Sequence, residues 1–289
     1  MITRKNLTIG AIVFAAAFTP LAHAYQFDLE GRFANLTVEE DFEDGDFEVD
    51  SYAISGRVYI SDVSDDSALP FEELGNFSQI SNFALEIEEV DPEFGDNDTG
   101  FTIDGEGFLT GKKQFVYGSY SDDGDDIDQF IIGYGGFFRD NFQGRVGFVR
   151  DDFRFADGIG VNGSLDAVFA FGNGSYLVTR GELTVVSGEI ESFGDDEDYA
   201  SVDFEAGLDF YPTKQLGIGI GLDSEVLSVD DGDDTTYTTT TLFIKANFHA
   251  NESVNFSASY GFGETGFEDD FSEGDEDLDG FMLEAGFRF

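Results

Sequence analysis

Cysteine and tryptophan are both absent from the 289 residues, and there are only 4 prolines, 2 histidines and 14 Lys+Arg against 61 Asp+Glu. Each shortage excludes something. Without cysteine there are no disulfides, so an exported chain of this size depends on packing or on a continuous hydrogen-bond network. So few prolines beside 36 glycines favour strands and tight turns over helices. Beyond the first two dozen residues, no helix-period apolar stretch reaches the roughly 20 residues a bilayer demands, which excludes a helical membrane protein. The acidic excess repels phosphates and argues against nucleic acid as a partner. Disorder is excluded by the 34 Phe and 11 Tyr, because disordered chains are poor in aromatics.

The N-terminus has a basic start (Arg4, Lys5), an apolar run from Ile9 to Phe18, and an Ala22-His23-Ala24 ending. That layout predicts a secretory signal peptide over 1–24, cleaved after Ala24. Removal of Arg4 and Lys5 with it leaves 12 Lys+Arg against 61 Asp+Glu, a formal charge of −49 on a single domain, 25–289.

Apolar and polar residues then alternate with a period of two through much of the chain. Val202, Phe204, Ala206, Leu208 and Phe210 alternate with Asp203, Glu205, Gly207 and Asp209, and similar runs recur. The pattern predicts fourteen strands: 25–38, 47–60, 82–90, 100–109, 114–121, 127–138, 142–151, 158–171, 176–190, 199–211, 215–229, 235–249, 253–262 and 278–289. Twelve or sixteen are the alternatives if the mixed segments near Phe115 or the stretch 61–81 are misread. Short connections (110–113, 139–141, 172–175, 212–214, 250–252) alternate with longer acidic ones (39–46, 91–99, 121–126, 191–198, 230–234, 263–277). Such alternation describes an up-and-down antiparallel sheet with two unlike ends.

One connection breaks that alternation. Residues 61–81 occupy a slot where a short turn is expected. Ser67 offers a cap and Pro70 an opening for a helical turn through Phe77. The expectations are a small helix packed at the barrel end, or a segment folded inward that narrows the lumen.

Period two by itself fits a soluble sandwich with apolar side chains inside, and equally a membrane barrel with them outside. Three features favour the membrane. Consecutive inward positions carry charge, as in Asp28-Glu30-Arg32 and Asp203-Glu205. Aromatics gather at strand ends, as in Phe137, Phe138 and Phe142. The last strand finishes on an aromatic, Phe289, with Phe287, Ala285, Leu283 and Phe281 on the same face.

That closing stretch, GFMLEAGFRF, resembles the terminal strand of Gram-negative outer-membrane barrels, with Phe281, Phe287 and Phe289 in the place of the assembly signal. More loosely, the mature chain resembles the porin family of marine and other gammaproteobacteria. The Tyr25-Gln26-Phe27-Asp28 opening, the Leu69-Pro70-Phe71-Glu72-Glu73 segment and the acidic loops carry that resemblance. It implies an all-β transmembrane barrel in the outer membrane. The partners implied are outer-membrane lipid and lipopolysaccharide, the barrel assembly machinery, and small ions or solutes. The implied role is passive diffusion, with no enzyme activity. Lacking tryptophan, the interfacial girdles rest on Tyr and Phe.

Predicted lumen-facing charges are Arg32, Arg57, Arg145, Arg180, Lys245 and Arg288, with Asp28, Glu30, Asp104, Glu106, Asp166, Glu182, Asp203, Glu205, Asp209, Asp223 and Glu284. Interior arginines pair with carboxylates across a barrel, and the carboxylate surplus makes a field attractive to cations. The expectation is a cation-preferring pore; a plugged structural or adhesive barrel acting through its acidic loops is the alternative. Asp122, Asp123, Asp125 and Asp126, and likewise Asp230, Asp231, Asp233 and Asp234, supply hard oxygen ligands around a glycine and form calcium candidates. They lack the spacing and terminal Glu of an EF-hand, so a solvated acidic surface that recruits divalent cations is the plainer expectation, with no other cofactor. A hydrolase reading would need a histidine base. His249 lies near Glu252 and Ser253, but proximity in sequence does not set reach, and an ordinary turn histidine is the simpler reading.

Overall fold

In the computed structural model, the described residues are 24–39, 47–64, 69–93, 97–109, 113–124, 127–153, 156–191, 196–230, 235–268 and 273–289. They form fourteen antiparallel strands closed into one barrel, each paired with its sequence neighbours and the last with the first. The strands are β1 (Ala24–Glu39), β2 (Phe47–Ser64), β3 (Asn82–Pro92), β4 (Asp98–Phe108), β5 (Gln114–Asp122), β6 (Ile127–Arg139) and β7 (Phe142–Phe153). They continue as β8 (Ala156–Ala170), β9 (Tyr176–Glu191), β10 (Asp196–Thr213), β11 (Leu216–Asp230), β12 (Thr235–Asn251), β13 (Val254–Glu268) and β14 (Glu273–Arg288). Closure leaves no unpaired sheet edge. No helix among these residues is long and apolar enough to cross a membrane, which says nothing about a barrel.

The period-two pattern sorts side chains as the geometry of a pleat requires. Phe83, Leu85 and Ile87 of β3, Phe204, Leu208 and Phe210 of β10, and Leu242, Ile244 and Phe248 of β12 are exposed on the outer wall. A soluble protein rarely shows an apolar surface that continuous. The intervening polar residues face the lumen.

Strand count and order follow the sequence pattern, but several strands are longer than expected. β13 runs on to Glu268 and β14 starts at Glu273, so most of the acidic connection 263–277 is paired strand, with Glu268 opposite Glu273. The hairpin of β9 and β10 likewise reaches Glu191 opposite Asp196. These stretches rise above the apolar band, where both faces meet water. Alternation therefore fades although backbone pairing continues.

Candidate functional site: the lumen and its plug

Glycines facing the lumen let neighbouring aromatic rings lie flat against the wall. A Cβ at Gly217 would stand 2.5 Å from the Tyr211 ring, and one at Gly133 would stand 2.5 Å from the Tyr117 ring. The barrel thus carries large side chains without closing its own interior.

One mouth is nevertheless filled. The connections 140–141, 171–175, 214–215 and 252–253 lie at the same end, together with the last residue, and the connection between β2 and β3 emerges there. After Pro70 the chain makes a single 3-10 turn, Phe71–Glu73, then further turns through Phe77. Pro70 precedes the helical residues, and no side chain caps them. Ser67 lies outside the described residues. The segment crosses the mouth: of the two arrangements open from sequence, the structure has the inward-folded one, built around the expected helical turn.

Two apolar clusters seat this plug. Phe71 and Leu74 pack with Tyr59 and Val63 of β2, joined by Leu69 and Ile80. Phe77 enters a second cluster with Phe115, Phe137, Val168, Tyr176, Val178 and Tyr211, which come from β5, β6, β8, β9 and β10. Each fully buried large apolar side chain contributes about 1.5–3 kcal/mol. Gln79, where the chain turns back toward β3, has a positive φ of 55°, a strained backbone for a residue other than glycine.

Polar contacts complete the seat. Glu73 is 0% exposed and accepts hydrogen bonds from Arg180, which also binds Asp209, and from Asn76 at 3.3 Å. Glu72 meets Nε2 of His249 at 2.9 Å. Burial pushes the Glu72 carboxyl up, but the His249 hydrogen bond and the charges of Lys245 and Arg288 outweigh it and hold the group below the usual carboxylate range. The Phe71 N–H donates to the Lys214 carbonyl at 3.1 Å, and the Phe71 carbonyl accepts from Nη1 of Arg288 at 2.5 Å. His249 is thus a buried contact of the plug. It faces Glu72, while the backbone N–H of Ser253 bonds the Asn251 side chain.

Beyond the plug the lumen is polar and its two walls differ. Around β1 to β7 the arginines are paired: Arg32 with Glu86 (3.1 Å) and Glu88 (3.2 Å), Arg57 with Asp104 (3.2 Å), and Arg145 with Glu106 (2.6 Å). On β9 to β11, Glu182, Glu205 and Asp223 stand side by side in one row, and Asp203 opposes Glu225 in the next. Neighbouring strands are about 4.8 Å apart, and rows on one face about 7 Å. Among the described residues, no cationic side chain pairs with any of these five; Glu182 accepts from Asn162 at 2.7 Å and Asp203 from Ser201 at 3.3 Å. Like charges placed opposite one another destabilise a sheet, so this wall favours any cation that approaches it. A polar cavity of about 170 Å³ is lined by Glu73, Asn76 and Phe77 of the plug together with Arg145, Glu182 and Glu205 of the wall.

The remaining residues singled out from sequence are placed as follows. Asp166 accepts from Gln143 at 3.2 Å and Glu284 from Ser257, while Lys245 occupies a lumen-facing position on β12. Phe281 and Phe289 lie on the outer face, their rings 5.7 Å from Phe33 and 5.0 Å from Phe27, and Phe287 is buried. Of the calcium candidates, Asp122 accepts the Gly124 N–H at 2.8 Å. Asp125, Asp126, Asp231, Asp233, Asp234 and the Asp230 side chain lie outside the described residues. Glu72, Glu73 and Phe77 were not singled out as site residues from sequence, although the anomalous length of 61–81 had marked the stretch.

No protein-family model matches the chain, and neither does any curated protein. Solved structures do. The Acinetobacter baumannii outer membrane protein Omp33 superposes with a TM-score of 0.58 at 15% identity, over 92% of this chain and 99% of that one. The outer membrane channel DcaP of the same organism gives 0.47 at 9% identity, over 93% and 99%. The chain shares with Omp33 the closed β-barrel fold of an outer membrane protein.

Proposed function

We propose that the protein is an outer-membrane channel of the porin type. It passes ions and small hydrophilic solutes down their gradients, prefers cations, and is held shut by residues 69–78 in the arrangement described above. The signal-peptide pattern and the outward apolar belt support placement in the outer membrane, with the short-turn end toward the periplasm. Outer-membrane lipid and lipopolysaccharide would meet the belt, and the assembly machinery would read the strand bearing Phe281, Phe287 and Phe289.

The observation that carries the proposal is the unpaired carboxylate wall of β9–β11 inside a closed, polar lumen. In a purely structural barrel nothing requires such a wall, whereas in a pore it concentrates cations. The plug itself favours a second reading, a permanently filled barrel that acts through its acidic loops. Planar-bilayer recording of the full chain and of a variant with 69–78 replaced by a short turn separates the two. The channel reading expects conductance steps from the shortened variant, with a reversal potential of cationic sign in a salt gradient. A silent shortened variant, correctly folded, would establish the structural reading instead.

A further inference from the structure

We infer that Arg288 is a positioning residue that makes seating of the plug depend on closure of the barrel. Arg288 is 7% exposed and stands directly opposite Asp28 in the one strand pairing, β1 with β14, that joins the two ends of the sheet. Its Nε lies 3.2 Å from Oδ2 of Asp28, and Nη1 donates to the Phe71 carbonyl at 2.5 Å. A guanidinium is a rigid planar fork, so fixing one edge on Asp28 aims another edge at the plug. Asp28 comes opposite Arg288 only when the seam is formed. Until then the fork is not aimed.

The rest of the Phe71–Glu72 half points the same way. The Phe71 N–H is satisfied by the β10–β11 turn through Lys214, and Glu72 by His249 on β12. Phe71 is buried, and its carbonyl also accepts from the Leu74 N–H at 3.4 Å within its own turn, so the Arg288 guanidinium supplies the shorter, charged bond of the two. Beyond its apolar packing on β2 and its own turn, these contacts to Lys214, His249 and Arg288 come from parts of the chain later than the plug, through groups the closed barrel sets in place. Coupling of this kind is reciprocal, so a seated plug must also stabilise the seam. The inference concerns the closed state and holds whether or not the opened barrel conducts.

The test is hydrogen–deuterium exchange, resolved by peptide, on the folded full chain in lipid nanodiscs. Asp28→Asn and Arg288→Lys are compared with the parent, and a plug-shortened variant serves as the reciprocal arm. Asp28→Asn should raise exchange across 69–78 by at least roughly tenfold, a shift of about 1.4 kcal/mol, while β5–β8 stays unchanged. Arg288→Lys should do the same, and the double variant should add little to either single change. Shortening the plug should raise exchange at the short-turn ends of β1 and β14. Faster exchange along the seam with an unchanged plug would reduce Arg288 to an ordinary ion-pair partner and overturn the inference, as would an equal rise throughout the barrel. If Arg288→Lys fails to assemble, Asp28→Asn decides the question alone, since it leaves β14 intact.

Discussion

At the short-turn end of the lumen, Phe71, Leu74 and Phe77 are buried and Glu73 has its cation in Arg180. Farther along the same barrel, Glu182, Glu205 and Asp223 stand in a row with no cationic side chain paired to them among the described residues. Both regions put carboxylates inside one wall. In the first, each carboxylate is desolvated and must be matched by a fixed partner, because a buried charge without one is costly. In the second, water remains in reach, so the charges are free to act on whatever enters. Charge serves as a fastener in one place and as a field in the other.

The largest break in this contrast should come from Arg180→Ala, which strips Glu73 and Asp209 of their cation while leaving every carboxylate of the wall in place. Removing one partner of a buried pair costs about 3–5 kcal/mol, enough to unseat the plug. Bilayer recording should then show openings close in size to those of the plug-shortened variant, with cation preference retained. Unchanged closure would mean that the apolar clusters alone hold the plug.

A smaller effect is expected from Gly217→Val. The added side chain meets the Tyr211 ring, which belongs to the cluster receiving Phe77. Overpacking of this kind costs about 1–3 kcal/mol. The thermal midpoint should fall and the plug should loosen, whereas Gly207→Ala, with its nearest contact at 4.0 Å, should change little.

Acid probes the fastener next. Seating lowers the Glu72 carboxyl below its ordinary value of 4.5. A group lowered on seating favours the seated form fully above its free value, and that contribution is lost as pH falls from there toward the seated value. Exchange in 69–78 should therefore be flat between pH 7 and 5 and rise below about 4.5, by at most roughly tenfold per pH unit. Glu72→Gln should abolish the Glu72 part of that rise. A rise already complete above pH 5 would show that the Glu72 carboxylate is not what acid releases.

The smallest effect belongs to the field. Paired substitution of Glu205→Gln and Asp223→Asn removes two wet carboxylates, each acting on a passing cation with about 1 kcal/mol at contact distance in water. Measured in the plug-shortened barrel, the reversal potential should move toward zero by a few-fold change in permeability ratio. Plug exchange should be unaffected, since neither residue contacts 69–78. A loss of closure would show that the two regions are not independent.

The barrel was largely legible in the sequence because its cause is local. A strand between lipid and water must alternate, and the alternation marks strand number and order and, with the turn pattern, the two unlike ends. Where both faces meet water, as beyond Phe262 in β13, the signal disappears while the strand continues. The stretch 61–81 announced itself by length, yet nothing in it says what receives Glu72 or Glu73. Those partners lie 177 residues away at His249 and 107 away at Arg180, and Phe71 meets Arg288 across 217.

By itself, then, the sequence determined a fourteen-stranded barrel, its greasy outer face, its charged inner face and the odd connection after the second strand. These are matters of period, which a chain carries along its own length. Only the tertiary structure decided which carboxylates are fasteners and which form a field. That distinction depends on whether a cation from a distant strand lies within hydrogen-bond reach and water is excluded, and both conditions exist only after β14 has paired with β1.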